Sequence, residues 1–337
     1  MLTGLLLATS QGLIAMRRPG PLMPFDFNAP RDQRLIEAAA RGDVDAVRAR
    51  LEAGDDVNMA AQMPGLAGLQ YGATALHYAA EGDHQEIADL LLGRDARTDT
   101  SDCQGLTPLH WAAGNNCPAM VATLLAAGAN SNIRNRLSGQ SPLHIAASAD
   151  VVEALLEAEQ VDPNKSNLSG RTPLHTVMAP RDWDRTKNPS RGVALGGPPP
   201  AQRMVDMPRA IQLLINAGAD PDARDRTMQL TPLHHAADNE TIYFPQRPAL
   251  SARELVGVLS ALVIAGADME TCGGRHHKIA TPVVGTGEEE ADCQARHGCH
   301  TPLHLAASRD GSTHAVRILL ELGAQMGPEG EHAFCHR

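Results

Sequence analysis

Thr107-Pro108-Leu109-His110, followed by Trp111-Ala112-Ala113, is the stretch that decides the fold, because the chain keeps returning to it. Ser141-Pro142-Leu143-His144, Thr172-Pro173-Leu174-His175, Thr231-Pro232-Leu233-His234 and Thr301-Pro302-Leu303-His304 repeat it, and Thr74-Ala75-Leu76-His77 is a copy without the proline. Successive copies start 33, 34, 31, 59 and 70 residues apart. The first three steps share one period, and the last two are that period plus an insertion. Self-similarity of this kind marks a repeat architecture.

Each copy has a local physical reading. Thr or Ser is suited to a helix N-cap, where its side chain satisfies an orphan first-turn group. Proline follows at the first helical position, where its missing N–H costs nothing and its fixed φ suits the helix. The leucine points to the core, and paired alanines (Ala79-Ala80, Ala112-Ala113, Ala146-Ala147, Ala236-Ala237, Ala306-Ala307) let neighbouring helices approach closely. A second helix is expected around Leu91-Leu92, Leu124-Leu125, Leu155-Leu156, Leu213-Leu214 and Leu319-Leu320. It ends in Ala127-Gly128-Ala129, Ala217-Gly218-Ala219 and Ala265-Gly266-Ala267, as a left-handed C-terminal cap requires.

These units resemble the ankyrin repeat, whose signature at this point reads T-P-L-H-x-A at a period of 33. The resemblance covers roughly residues 32–326. It implies an all-α solenoid of about seven stacked helix–turn–helix units joined by finger-like turns. It also implies protein recognition through the fingers and inner helices, with no shared catalytic residues.

Composition agrees with that reading. The chain of 337 residues carries 3% aromatic residues and a formal charge of −10. The acidic balance argues against general nucleic-acid binding, which rests on phosphate electrostatics. Cys103, Cys117, Cys272, Cys293, Cys299 and Cys335 show no paired spacing. They read as reduced thiols in an intracellular protein, cytoplasmic rather than nuclear. No uninterrupted apolar run is long enough to cross a membrane.

Residues 1–31 precede the repeats. Leu5-Leu6-Leu7 is followed by Arg17-Arg18 rather than preceded by basic residues, the reverse of a signal peptide, so this part reads as a disordered leader. Asp32 to Asn58 form a first helix pair, with Leu35, Ile36, Val47 and Leu51 inside and Arg41, Asp45 and Arg48 outside, as a terminal unit needs. Unit four has a shortened connection between its helices and lacks the terminal glycine, so a distorted stack is expected there. Insertions are expected at about 179–207, 238–252 and 270–299, the first and last being large, and 327–337 reads as a flexible tail. The first insertion, rich in Pro, Gly and Arg, reads as a mobile loop. Its sharper reading is a basic docking segment anchored by Trp183.

One histidine per unit, roughly 10 Å apart at the spacing of packed helices, cannot converge on one metal ion. A structural role between fingers follows, since buried imidazoles need hydrogen-bond partners. The last insertion holds Cys272-x3-His276 and Cys293-x3-His297, the chain's nearest approach to a tetrahedral site. Zinc fingers space their cysteines more tightly, so no metal and no cofactor are expected. No nucleophile–base set or phosphate loop stands out, which argues against an enzyme.

The expected function is an adaptor or scaffold, monomeric, holding another protein on the concave face and binding neither nucleic acid nor membrane. The alternative is a substrate-recruiting subunit of a larger enzyme assembly, such as a ubiquitin ligase. The contact residues would be Cys103, Gln104, Leu106, Gly114 and Asn115 in unit three; Leu137, Ser138, Gln140 and Ser148 in unit four; and Leu168, Ser169 and Arg171 in unit five. On this reading Leu106 and Leu137 both accept glutamate without loss of the fold.

Overall fold

The computed structural model describes residues 33–62, 71–158, 160–178, 206–237, 251–273, 300–307 and 313–324. The expected leader and tail, Trp183 and the bulk of the three insertions lie outside them.

The first pair is α1 (Gln33–Arg41) and α2 (Val44–Glu52), followed by α3 (Ala75–Glu81) with α4 (Gln85–Leu92) and α5 (Pro108–Gly114) with α6 (Pro118–Ala126). Unit four pairs a single 3₁₀ turn (Pro142–Ile145) with α7 (Ala149–Leu156). Then come α8 (Pro173–Met178) with α9 (Met207–Asn216), α10 (Pro232–Ala237) with α11 (Ala252–Ile264), and α12 (Pro302–Ala307) with α13 (Thr313–Glu321). The first members pack on one another in succession, with the 3₁₀ turn taking its place between α5 and α8, and the second members form a parallel row. The described residues thus make one all-α solenoid of seven units, as the repeats imply.

The expected terminal unit is present. Leu35, Ile36, Val47 and Leu51 are buried, whereas Arg41, Asp45 and Arg48 face solvent. The shortened unit four also takes physical form. Its first helix closes after one tight turn, and Ser148 starts α7 at once by accepting the Val151 N–H at 3.3 Å. Two insertion limits move. Met207 opens α9 and is buried, and Ser251 caps α11, so both residues belong to helices.

Two long fingers are clamped at their bases. Ala60 pairs with Thr74, and Gly273 with His300, each as an isolated antiparallel bridge.

Candidate protein-interaction surface

The repeated histidine holds the fingers in place. In units two to seven the threonine or serine and the histidine three residues on are joined at the helix start, with the N-cap backbone N–H donating to Nδ1 at 3.0 to 3.4 Å. The opposite ring nitrogen crosses to the next finger. Nε2 meets the carbonyl oxygen of Leu106 from His77 (3.0 Å), Gln140 from His110 (3.1 Å), Arg171 from His144 (3.0 Å), Leu230 from His175 (3.1 Å) and His300 from His234 (2.9 Å). A carbonyl only accepts, so Nε2 carries the hydrogen and Nδ1 the lone pair. The ring is neutral and satisfied at both ends. Burial pushes the pKa of His110, His144 and His234 down to about 4, and that of His175 to about 3.

The finger tips join through a second ladder. Cys103 N–H donates to Tyr71 (3.0 Å), Arg136 to Gln104 (2.9 Å), Leu168 to Ser138 (2.9 Å) and Arg226 to Ser169 (2.8 Å), each to the carbonyl of the preceding tip. Inside each tip a short side chain braces the turn. Oδ1 of Asp102, Asn135, Asn167 and Asp225 accepts two backbone N–H groups of its own loop. At the far side of the fingers Asn58, Asp99, Asn132, Asn164 and Asp222 each accept a backbone N–H from the following unit. The fingers are therefore fixed three times over and present a rigid edge.

That edge carries exposed apolar groups. Tyr71 is 52% exposed, Leu137 69% and Leu168 59%. Of the residues expected to make contact, Cys103, Leu137 and Leu168 are exposed, and Gln104, Asn115, Ser138, Gln140, Ser169 and Arg171 are half-buried. Three are not surface residues at all. Leu106 is 3% exposed because its side chain joins the apolar core, while its carbonyl is tied to His77. Gly114 ends α5 inside the row of first helices. Ser148 is buried as the cap of α7. Tyr71, Arg136 and Arg226, which the sequence reading passed over, stand on the exposed edge instead. Aligning the tips on Cys103 would have found the two arginines.

The cysteine reading also changes. Cys103 and Cys117 are not disulfide-bonded, but Cys272 is, so it offers no thiolate to a metal. The bridge between Gly273 and His300 brings together two ends of the finger that are far apart in sequence, which spacing alone could not reveal. The cysteine count accordingly loses its force as an argument for a reducing compartment. His276, Cys293 and His297 lie outside the described residues. Among the described residues no group of three or more His, Cys, Asp and Glu side chains is placed to hold a metal ion. No described helix is long and apolar enough to cross a membrane.

Rigid fingers on a one-dimensional stack define a repeat module for holding a partner. The ankyrin repeat model matches three copies over residues 35–135 and single copies over 138–168 and 299–327. The chain is an ankyrin repeat protein. Units five and six, split by insertions, fall outside those matches, yet their helix pairs keep the stack. The chain is 38% identical over 108 residues to the Drosophila melanogaster tyrosine-protein kinase Shark, covering 31% of this chain and 11% of that one. It is 32% identical over 138 residues to the Caenorhabditis elegans ANK repeat-containing protein nipk-1, covering 40% and 20%. It is 26% identical over 325 residues to the Arabidopsis thaliana E3 ubiquitin-protein ligase KEG, covering 91% and 17%. The chain thus spans a fifth or less of these relatives' own lengths.

Proposed function

We propose that the array is a protein-binding adaptor, without catalytic activity of its own, that engages another protein along the finger tips and the adjoining first helices. The observation that carries this reading is the row of exposed apolar side chains, Tyr71, Leu137 and Leu168, on tips locked by the backbone ladder. Exposed apolar groups on pre-organised backbone gain contact area without an ordering cost. A second reading, recruitment of substrates to a larger enzyme assembly, is favoured by the likeness to a named ubiquitin ligase over nearly the whole of this chain. The protein acts as a monomer on either reading, and nucleic acid and membrane are not its partners.

Affinity capture from an extract of the source organism tests both. Wild type is compared with a Leu137→Glu/Leu168→Glu variant of unchanged stability. Partners lost by the variant support recognition at the tips, and ligase components among them support the second reading. Partners retained in full by the variant would remove the assignment.

A further inference from the structure

The finger entering unit four carries charge opposite to that of the chain. The protein as a whole carries −10, yet no Asp or Glu occurs between Asp102 and Asp150. The finger between units three and four presents Arg134 and Arg136 in that stretch, and the next two fingers add Arg171 and Arg226.

The geometry gathers them into one patch with the exposed leucines. Arg134 donates to the Gly139 carbonyl at 2.9 Å. A Cβ on Gly139 would lie 2.8 Å from the Arg134 guanidinium and 2.8 Å from Cγ of Leu168, so arginine, finger backbone and leucine adjoin. The stems of Arg136 and Arg226 lie over Gly105 and Gly170 of the preceding fingers, where a Cβ would come within 2.6 and 2.4 Å of their Cγ atoms. Arg171 turns toward Asp225 at 3.7 Å. That carboxylate is fully buried and shared with His235 at 3.3 Å, so it offers nothing to the outer arginines. Arg136 and Arg226 are exposed and form no ion pair among the described residues.

Outer arginines on the fingers entering units four and six, with the exposed leucines between them, are complementary to alternating carboxylates and apolar side chains. We infer that the tips of the fingers entering units four to six bind an acidic peptide segment bearing bulky apolar side chains. This rests on the reading that the fingers bind protein. Units about 10 Å apart and about 3.3 Å per residue of extended chain set the ligand at roughly seven to nine residues, with carboxylates about six apart and apolar side chains between them. Single-stranded nucleic acid fits less well. Its platforms are exposed aromatics, whereas Tyr71 alone among the described aromatic residues is substantially exposed, and it stands at the tip entering unit two.

The test is selection of a random twelve-residue peptide library on the immobilised full chain, with pool affinity then measured on Arg136→Glu/Arg226→Glu, Leu137→Glu/Leu168→Glu and a distant Arg41→Glu control. The expected pool is enriched in Asp and Glu flanking Leu, Ile or Phe. Its binding should fall at least tenfold in the arginine variant and between 50 and 300 mM salt, and stay unchanged in the control. No enriched pool, a pool without acidic residues, or one that ignores the arginine variant overturns the inference. A pool lost only in the leucine variant keeps the finger reading and removes the acidic one, whereas indifference to both variants overturns the finger reading itself. A single-stranded oligonucleotide or phosphatidylserine vesicle that binds more tightly than the pool, with the same arginine dependence, would replace the peptide by that class.

Discussion

Acidification should dismantle the array well before its carboxylates titrate. In the unfolded chain a histidine has a pKa near 6.5. Burial lowers it to about 4 for His110, His144 and His234 and to about 3 for His175. The unfolded state therefore binds the proton first. The stability each ring contributes is complete above about pH 6.5 and is lost as pH falls toward the folded value. At pH 5 protonation of the unfolded ring shifts the folding equilibrium by a factor of about 30, about 2 kcal/mol per histidine. Four rings give about 8 kcal/mol, comparable with the whole stability of a typical domain. Asp225 acts in a lower window. Burial opposes its ionisation, but the His235 ring and the Met228 N–H outweigh it and hold the carboxyl below the ordinary range, so its contribution disappears only below about pH 4. Urea unfolding followed by far-UV circular dichroism at pH 7.5, 6.5, 5.5 and 4.5 reads the effect directly. The midpoint should be constant above pH 7 and fall steeply between 6.5 and 4.5, and a His110→Asn variant should be weaker at pH 7.5 with a shallower fall. A midpoint that stays flat down to pH 4.5 would refute the neutral-relay argument.

Three further outcomes follow from burial and backbone geometry. Leu106→Glu should lose about 3 kcal/mol or more in urea unfolding, since it buries an unpaired charge, whereas Leu137→Glu should stay within about 0.5 kcal/mol; equal losses would contradict the burial of Leu106. Iodoacetamide under native conditions should modify Cys103 and spare Cys117, whose thiol burial, assisted by Asp83 and Glu81, pushes up to about 12. Labelling of both at one rate, read by peptide mass spectrometry, would show the α5–α6 connection to be open. Gly105→Ala and Gly128→Ala both place a side chain at φ near +80° (+80° and +86°), but only at Gly105 would Cβ meet backbone, 2.6 Å from the Arg136 nitrogen. The first should cost at least about 1 kcal/mol more than the second, and similar thermal shifts would mean that the fingers give way.

The stack was legible because its signals are local. Caps, prolines, alanine pairs and terminal glycines specify helix ends within a few residues, and recurrence makes them unambiguous. Exposure within a finger was not legible in the same way. Leu106 and Leu137 are both finger leucines, but they occupy different places in the turn. Leu106 precedes the N-cap, whose position the histidine relay fixes, and Leu137 rides the tip two residues before Gly139 at φ +69°. The position before the cap is structural through its carbonyl whatever its side chain. Gln140, Arg171, Leu230 and His300 accept the same bond that Leu106 does. The tip ladder was hidden too, because one backbone N–H donating to one carbonyl imposes no residue type. Tyr71, Arg136 and Arg226 reach the edge by main-chain bonds that any side chain permits.

The same relay explains how the array tolerates insertions. His77 reaches Leu106 across 29 residues at 3.0 Å, His175 reaches Leu230 across 55 at 3.1 Å, and His234 reaches His300 across 66 at 2.9 Å. The bond length does not register the extra chain. Two of the insertions lie between a first and a second helix, and the last lies in a finger closed by the Gly273–His300 bridge, so none separates a histidine from its carbonyl in space. The entropic cost of closing a longer loop grows only logarithmically, about 0.6 kcal/mol per doubling. One hydrogen bond is worth about 1 kcal/mol net, and each unit also contributes its buried leucines and alanines. Lengthening a connection is therefore cheap beside losing a unit. Selection can vary the loops while the histidine relay stays continuous from unit two to unit seven, and that continuity keeps the units in register.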